Sequence, residues 1–280
     1  MGKIAFQGEL GANSHIACHK QYPDMQALPC DTFDGAFDAL RSGAADLAMM
    51  PVENTVAGRV ADIHRLLPGS KLYITGEYFM RVNHCLLALP GADEAALTHV
   101  HSHEMALGQC RKLIAELNLK AEIAADTAGA ARDLAAANLP SHAAIASKLA
   151  AEIYGLDVLR ENIEDSQQNT TRFLIMSASP DDAEPDEDNV ITSFIFRVRN
   201  VPAALYKALG GFATNKVNMT KLESYQPNGF LATQFYADIE GHPESEPVRL
   251  ALEELNFYCS EMDILGVYRA APERAVLKAE

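Results

Sequence analysis

A chain of 280 residues, 48% of them hydrophobic, can bury a sizeable core and has the length of one larger domain plus a smaller one. Its formal net charge of −15 and pI near 5.0 repel nucleic-acid phosphates and anionic lipid, so neither is an expected partner. The opening Met1-Gly2-Lys3-Ile4-Ala5-Phe6 lacks the apolar length of a signal peptide, and no uncharged stretch is long enough to cross a bilayer. Five cysteines without C-x-x-C spacing offer neither a disulfide framework nor a zinc site, and a cytoplasmic, reduced protein is expected.

In chain order, short apolar runs predict strands at Lys3 to Phe6, Leu47 to Met50, Cys85 to Leu89 and Phe173 to Met176. Between them lie amphipathic helices, Asp34 to Leu40 with Phe33, Phe37 and Leu40 on one face, and Glu104 to Leu117 with Leu107, Cys110, Leu113, Ile114 and Leu117 on one face. This alternation predicts an α/β domain of two lobes, about 1–77 plus 163–177 and 78–162, with a cleft between them. Residues Ser177 to Asn189, SASPDDAEPDEDN, are acidic, carry two prolines and read as a linker, whose span between domains is 178–189. Beyond it, strand Val190–Val198, helix Ala203–Phe212, strand Val217–Tyr225, strand Phe230–Ile239, helix Pro247–Leu255 and strand Ile264–Tyr268 make a βαββαβ unit, its hairpin marked by Gln226-Pro227-Asn228-Gly229.

Three polar segments stand against this framework. After Leu47 to Met50, Pro51 is expected to stop the strand, and Glu53, Asn54 and Thr55 follow at the usual ligand position of an open α/β sheet; a plain turn capped by Asn54 or Thr55 gives the same pattern. Asn169-Thr170-Thr171-Arg172-Phe173 places hydroxyls beside a guanidinium that can fork onto a carboxylate, or simply a solvated strand start. In His99-Val100-His101-Ser102-His103, Ser102 is placed to cap the following helix, and the three alternating histidines invite a metal reading that no nearby carboxylate–histidine pattern like H-E-x-x-H supports.

Taken in order, Pro51 to Gly58 (P-x-E-N-[ST]-x-x-G), Ser102 to Cys110 (S-H-P-Q-x-x-x-Q-C) and Thr171-Arg172-Phe173 resemble the motifs of the prephenate dehydratase family over nearly the whole chain. Glu104 and Met105 stand where that pattern has proline and glutamine. The resemblance implies a two-lobed periplasmic-binding-protein-like catalytic domain, residues 1–177, followed by a ferredoxin-like ACT regulatory domain, residues 190–280. It implies conversion of prephenate to phenylpyruvate, water and carbon dioxide in phenylalanine biosynthesis without cofactor or metal, in keeping with the lack of a dinucleotide fingerprint or P-loop. It places Thr171, Glu53 and Asn54 at catalytic positions and Arg172, Phe173, Thr55, Ser102, His103 and Gln109 around the substrate. Thr171 then donates a hydrogen bond to the departing hydroxyl, and Arg172 holds the pyruvyl carboxylate.

L-Phenylalanine, as effector, is expected at Ala203, Ala204, Leu205, Asn218, Glu223 and Ser224, where two copies of a homodimer or homotetramer meet. Ala203 for the family's glycine reads as a small steric change, whereas Tyr225 and Gln226 replace its arginine and proline. Arogenate dehydratase chemistry stays open, as do a two-lobed solute-binding protein and a non-catalytic amino-acid sensor.

Overall fold

The computed structural model describes residues 1–225 and 233–277. The chain opens with β1 (Lys3–Gln7), α1 (Asn13–Gln21), β2 (Gln26–Cys30), α2 (Phe33–Arg41), β3 (Leu47–Asn54), β4 (Gly58–Arg59), α3 (Ala61–Leu66) and β5 (Tyr73–Arg81). It continues through β6 (Cys85–Ala88), β7 (His99–Ser102), α4 (Glu104–Gln109), α5 (Arg111–Glu116), β8 (Lys120–Ile123), α6 (Thr127–Ala137), β9 (His142–Ala146), α7 (Lys148–Tyr154), β10 (Asp157–Glu161) and β11 (Thr170–Ser177). The last stretch is β12 (Val190–Val198), α8 (Ala204–Thr214), β13 (Met219–Tyr225), β14 (Gln234–Glu240), α9 (Glu246–Tyr258), β15 (Cys259–Arg269) and α10 (Glu273–Leu277).

Three sheets result. The first has the order β2-β1-β3-β11-β5, with β4 hairpinned onto β3; the second is β10-β6-β9-β7-β8. The chain therefore leaves the first sheet after β5, builds the second, and returns to insert β11 between β3 and β5, the two-lobed periplasmic-binding-protein-like arrangement. The third sheet, β13-β14-β12-β15, is wholly antiparallel in its pairings and carries the ferredoxin-like βαββαβ order. Phe194, Phe196, Phe212, Phe235, Leu255 and their neighbours form its core with α8 and α9. By internal contacts the chain divides into Met1–Leu66 with Tyr78–Phe173, and Leu67–Glu77 with Leu174–Glu280. The segment Leu67–Glu77, expected in the first lobe, thus groups with the C-terminal residues. A close approach explains part of this grouping: a β-carbon on Gly266 of β15 would lie 1.9 Å from the carbonyl oxygen of Ile74, so only glycine fits there.

Several local expectations are corrected. Pro51 does not stop β3, which runs on to Asn54. The parallel pairing of β3 with β1 ends at Met49 and the hairpin with β4 begins at Glu53, so Pro51 falls in the gap between these two partners. The helix expected from Glu104 to Leu117 is two helices, broken at Cys110 (φ −123°, ψ 30°). Asp165 makes the break: its carboxylate accepts from the amides of Arg111 (3.1 Å) and Lys112 (3.2 Å), and its own N–H donates to the Gln109 carbonyl (2.6 Å). The acidic segment also makes contacts of its own. Ala183 donates to the Val267 carbonyl at 2.8 Å, and Glu187 pairs with Arg269, whose hydrogen bond, with the Glu184 amide, holds the Glu187 carboxyl down to about 2. The hairpin residues Gln226-Pro227-Asn228-Gly229 lie outside the described residues.

Ala203 is no mere small change from glycine. It sits at φ +62°, ψ 15°, the left-handed region, immediately before α8. Most other positive-φ positions without glycine hold asparagine, which tolerates that region better than a plain methyl side chain. Ala203→Gly should therefore raise stability by about 0.5–1 kcal/mol, the relief of left-handed strain less the entropy glycine adds to the unfolded chain. Urea unfolding with an unchanged slope and a higher midpoint is the expected result.

Candidate active site

β3 and β11 are neighbours in the first sheet, so the return of the chain sets Glu53-Asn54-Thr55 beside Asn169-Thr170-Thr171-Arg172. Thr55 fastens the two segments. Its amide donates to the Thr170 carbonyl at 2.9 Å, its hydroxyl donates to the Gln168 carbonyl, and the same hydroxyl accepts from the Thr170 amide at 2.9 Å. No short-range signal in either motif reports this tie, because the partners are more than a hundred residues apart.

The direction of each hydrogen bond in the site follows from two backbone anchors. The Asn54 carbonyl oxygen accepts from the amides of Val56 (2.9 Å) and Ala57 (2.8 Å), which fixes which end of the side-chain amide is oxygen. Asn54 Nδ2 therefore donates, to Asn169 Oδ1 at 2.8 Å and to Thr171 Oγ1 at 2.9 Å. Asn169 must in turn donate through Nδ2 to Gln109 Oε1 (2.9 Å), and that oxygen also accepts from His84 Nε2 (2.8 Å). His84 thus carries its proton on Nε2. Burial pushes its pKa below the ordinary 6.5, against the opposing pull of the Gln109 bond and the Glu164 charge. Asn169, Thr171 and His84 are all buried, and Glu164 holds the backbone at His84 by accepting from its amide at 3.0 Å. Because Thr171 Oγ1 accepts from Asn54, its own hydroxyl proton is directed elsewhere.

Arg172 is 3% exposed and its Nη1 lies 3.1 Å from Glu53 Oε1, with the guanidinium carbon 5.9 Å from the centroid of the Phe79 ring. The expected carboxylate clamp is therefore already paired with Glu53, which acts there as an acceptor. Phe173 is buried in the hydrophobic core. Of the 102–110 segment, only Gln109 joins the network. Ser102 is fully buried with its hydroxyl donating to the Ile145 carbonyl at 2.6 Å, so it does not cap the helix; His103, exposed, caps α4 through Nδ1, which accepts from Met105 at 3.2 Å. The three alternating histidines do not converge on one point. His101 Nε2 is 2.7 Å from His142 Nδ1 and His99 stacks on His142, while His103 turns away to α4. Among the described residues no group of three or more histidine, cysteine or acidic side chains is placed to hold a metal.

All five cysteines are free, and burial pushes the thiols of Cys18 up to about 12 and Cys259 up to about 11, far from a nucleophilic thiolate. Sequence reasoning named neither Asn169 nor His84 as site residues. Asn169 carried a signal, a polar side chain two positions before Thr171; a lone histidine at a strand entrance carried none.

In the C-terminal unit Ala203 is exposed, Ala204 buried and Leu205 half-buried against the sheet core. Asn218 donates to Glu240 at 3.0 Å, Glu223 pairs with Lys221 at 2.9 Å, and Ser224 is exposed on β13. No helix among the described residues is long and apolar enough to cross a membrane.

A two-lobed, periplasmic-binding-protein-like α/β unit with a polar wall on adjacent strand ends, followed by a ferredoxin-like, ACT-like module, is the architecture the comparisons match. The family pattern described as prephenate dehydratase matches residues 4–181. A bifunctional N-acyl-homoserine lactone acylase/prephenate dehydratase of Komagataeibacter europaeus is 50% identical over 272 residues, covering 97% of each chain. Arogenate dehydratase/prephenate dehydratase 2, chloroplastic, of Arabidopsis thaliana is 37% identical over 277 residues, 95% of this chain and 72% of that protein. Among solved structures, a prephenate dehydratase from Arthrobacter aurescens in complex with L-Phe superposes with a TM-score of 0.87 at 29% identity, covering 99% of this chain and 96% of that one. The chain belongs to the prephenate dehydratase family.

The buried His84 generates a pH test. Its folded pKa lies below the 6.5 of the unfolded chain, so as pH falls below 6.5 the unfolded state takes up a proton that the folded state refuses. Its stabilising effect is complete above 6.5 and declines as pH drops toward the folded pKa. His84→Gln keeps a donor toward Gln109 but cannot titrate, so its urea midpoint should fall less steeply with pH below 6.5 than that of the unsubstituted protein. His15 and His101, whose pKa values are also lowered by burial, remain in both proteins and cancel. Parallel curves would mean that His84 is not held neutral.

Proposed function

We propose that this protein is a prephenate dehydratase, converting the prephenate dianion and one proton to phenylpyruvate, water and carbon dioxide, and that L-phenylalanine regulates it through the C-terminal unit. One observation carries the reading: Thr171 accepts from Asn54, whose amide is locked by two backbone donors, so the Thr171 O–H is left to point at a substrate oxygen. As the ring carboxylate departs as carbon dioxide, its bonding electrons aromatise the ring and expel the ring hydroxyl. The Thr171 hydrogen bond strengthens as negative charge builds on that oxygen, which is where a donor accelerates the step most. An aliphatic hydroxyl is a weak acid, so Thr171 serves as a positioned donor while the net proton comes from solvent.

Arg172 in this reading faces the pyruvyl carboxylate, with Glu53 tempering its charge. Tight pairing of a bare cation with the ring carboxylate would stabilise the very charge that must leave. Gln109, Asn169 and His84 hold Asn54 in place, and Thr55 holds the two strand ends together. The effector reading is supported by the L-Phe complex of the Arthrobacter aurescens relative. Pairing of two copies is supported by large apolar side chains left uncovered on the C-terminal unit, Tyr206 at 81% and Phe257 at 76% exposed, and by sheet edges at β13 and β15. The cytoplasm is the setting that this biosynthetic role implies.

Two relatives broaden the substrate question. The Arabidopsis thaliana protein bears both dehydratase names, and arogenate differs from prephenate only in its amino side chain; the Komagataeibacter europaeus relative, at 50% identity, bears an acylase name as well. Purified protein should therefore be offered prephenate, arogenate and an N-acyl-homoserine lactone in parallel. Thr171→Ala is expected to lower kcat on prephenate by about a hundred- to a thousandfold, a loss of about 3–4 kcal/mol, with KM little changed. Arg172→Ala is expected to raise KM at least about tenfold, because it removes a cation and leaves the Glu53 carboxylate facing a dianion. A folded Thr171→Ala protein with normal turnover would refute the assignment.

A further inference from the structure

The guanidinium of Arg274, on α10 after the last strand of the third sheet, is the meeting point of three strands. It pairs with both oxygens of Glu77 on β5, through Nε to Oε1 and through Nη2 to Oε2 at 2.8 Å. Its Nη1 donates to Thr220 Oγ1 on β13 at 3.3 Å, and Nη2 stands 3.7 Å from Asp238 Oδ2 on β14. The side chains of Glu77 and Asp238 are fully buried. Each is further held: Glu77 Oε1 accepts from the Ala271 amide at 3.1 Å, and Asp238 Oδ1 accepts from Ser193 Oγ at 2.5 Å, a hydroxyl itself 2.8 Å from the Tyr268 hydroxyl.

None of these groups belongs to the site described above, but two of the strands that meet here, β13 and β5, run on into residues already named. β13 carries Glu223 and Ser224 and begins just after Asn218, the proposed effector residues. β5 runs on from Glu77 through Tyr78 to Phe79, the ring that lies against the Arg172 guanidinium. A charge buried with its partner cannot drift away from it, since a separated partner would be left as an uncompensated buried ion. β13 meets the same guanidinium through Thr220, and β14, its paired neighbour, through Asp238, so a displacement of β13 bears on Arg274, which cannot slip from Glu77.

The geometry points to Arg274 and Glu77 as positioning residues that couple the strand bearing the effector residues to the Phe79–Arg172 side of the substrate wall. This rests on the dehydratase reading and names how phenylalanine would act on that site. The test is the coupling factor, the ratio of prephenate KM with saturating phenylalanine to KM without it, together with phenylalanine affinity by calorimetry. For the unsubstituted full-length protein an ordinary allosteric factor of about 5- to 150-fold is expected. In Arg274→Met it should fall to within about twofold of unity, with kcat and phenylalanine affinity each within about threefold of the original. A merely structural role would lower the melting temperature and leave the factor intact.

Should Arg274→Met fail to fold, the double variant Glu77→Gln/Arg274→Met, which removes both buried charges together, decides in its place. A folded variant of either kind with an unchanged coupling factor overturns the proposal. Absence of prephenate turnover or of any phenylalanine response in the unsubstituted protein overturns the reading beneath it instead.

Discussion

Asn54 can hold only one orientation, because both acceptor positions of its carbonyl oxygen are occupied by the amides of the turn that follows it, Val56 and Ala57. Every other polar direction in the site is set from that point outward. Two donors leave Asn54 for Asn169 and Thr171, Asn169 is thereby turned to donate to Gln109, and Gln109 fixes the His84 tautomer. A buried network is stable only when each member is satisfied, and a single reversed amide here would set donor against donor. In the proposed mechanism the consequence is confined to one atom: the hydroxyl of Thr171 receives a hydrogen bond from Asn54 and has its own left to give.

That local chain depends on a non-local one. Asn54 ends β3 and Thr171 lies near the start of β11, and only the return of the chain after the second lobe makes these strands neighbours. Thr55 and the Thr170 backbone lock the register, while Asp165 on the returning segment breaks the α4–α5 helix and keeps Gln109 at its end. The same return thus shapes both sides of the wall. Arg172, one residue beyond Thr171, is paired with Glu53, one residue before Asn54; in the proposed mechanism this pairing matters because a bare cation would hold the ring carboxylate too firmly.

The sequence made some of this legible and hid the rest for physical reasons. Apolar runs bounded by turns announced β1, β3, β6 and β11, and the spacing beyond the acidic segment announced the βαββαβ order, because these elements are set by local burial patterns. Glu53, Asn54, Thr171 and Arg172 were visible because polar residues crowd the ends of strands. The break at Cys110 was not, since Asp165 lies 54 residues from the amide it caps. Ser102 looked like a helix cap, but it is buried at the end of β7 with its hydroxyl on the Ile145 carbonyl, and the cap passes to His103. The alanine-rich α6 left little apolar contrast to read, and the left-handed backbone of Ala203 leaves no trace in a residue type that ordinarily avoids it. His84 takes its role from burial and from Gln109, both products of the tertiary fold.

The direction of the Asn54–Thr171 hydrogen bond is the claim on which the account turns, and Asn54→Asp tests it with almost no change of shape. An aspartate carboxylate can still accept from Val56 and Ala57 but cannot donate, so the Thr171 proton would turn toward it and away from the substrate. With prephenate at saturation and the fold verified by its unfolding transition, kcat is predicted to fall by about a hundred- to a thousandfold, as for loss of the hydroxyl itself. An Asn54→Asp protein that turns over prephenate at close to the normal kcat would contradict the account, because the Thr171 proton would then not need the amide to direct it.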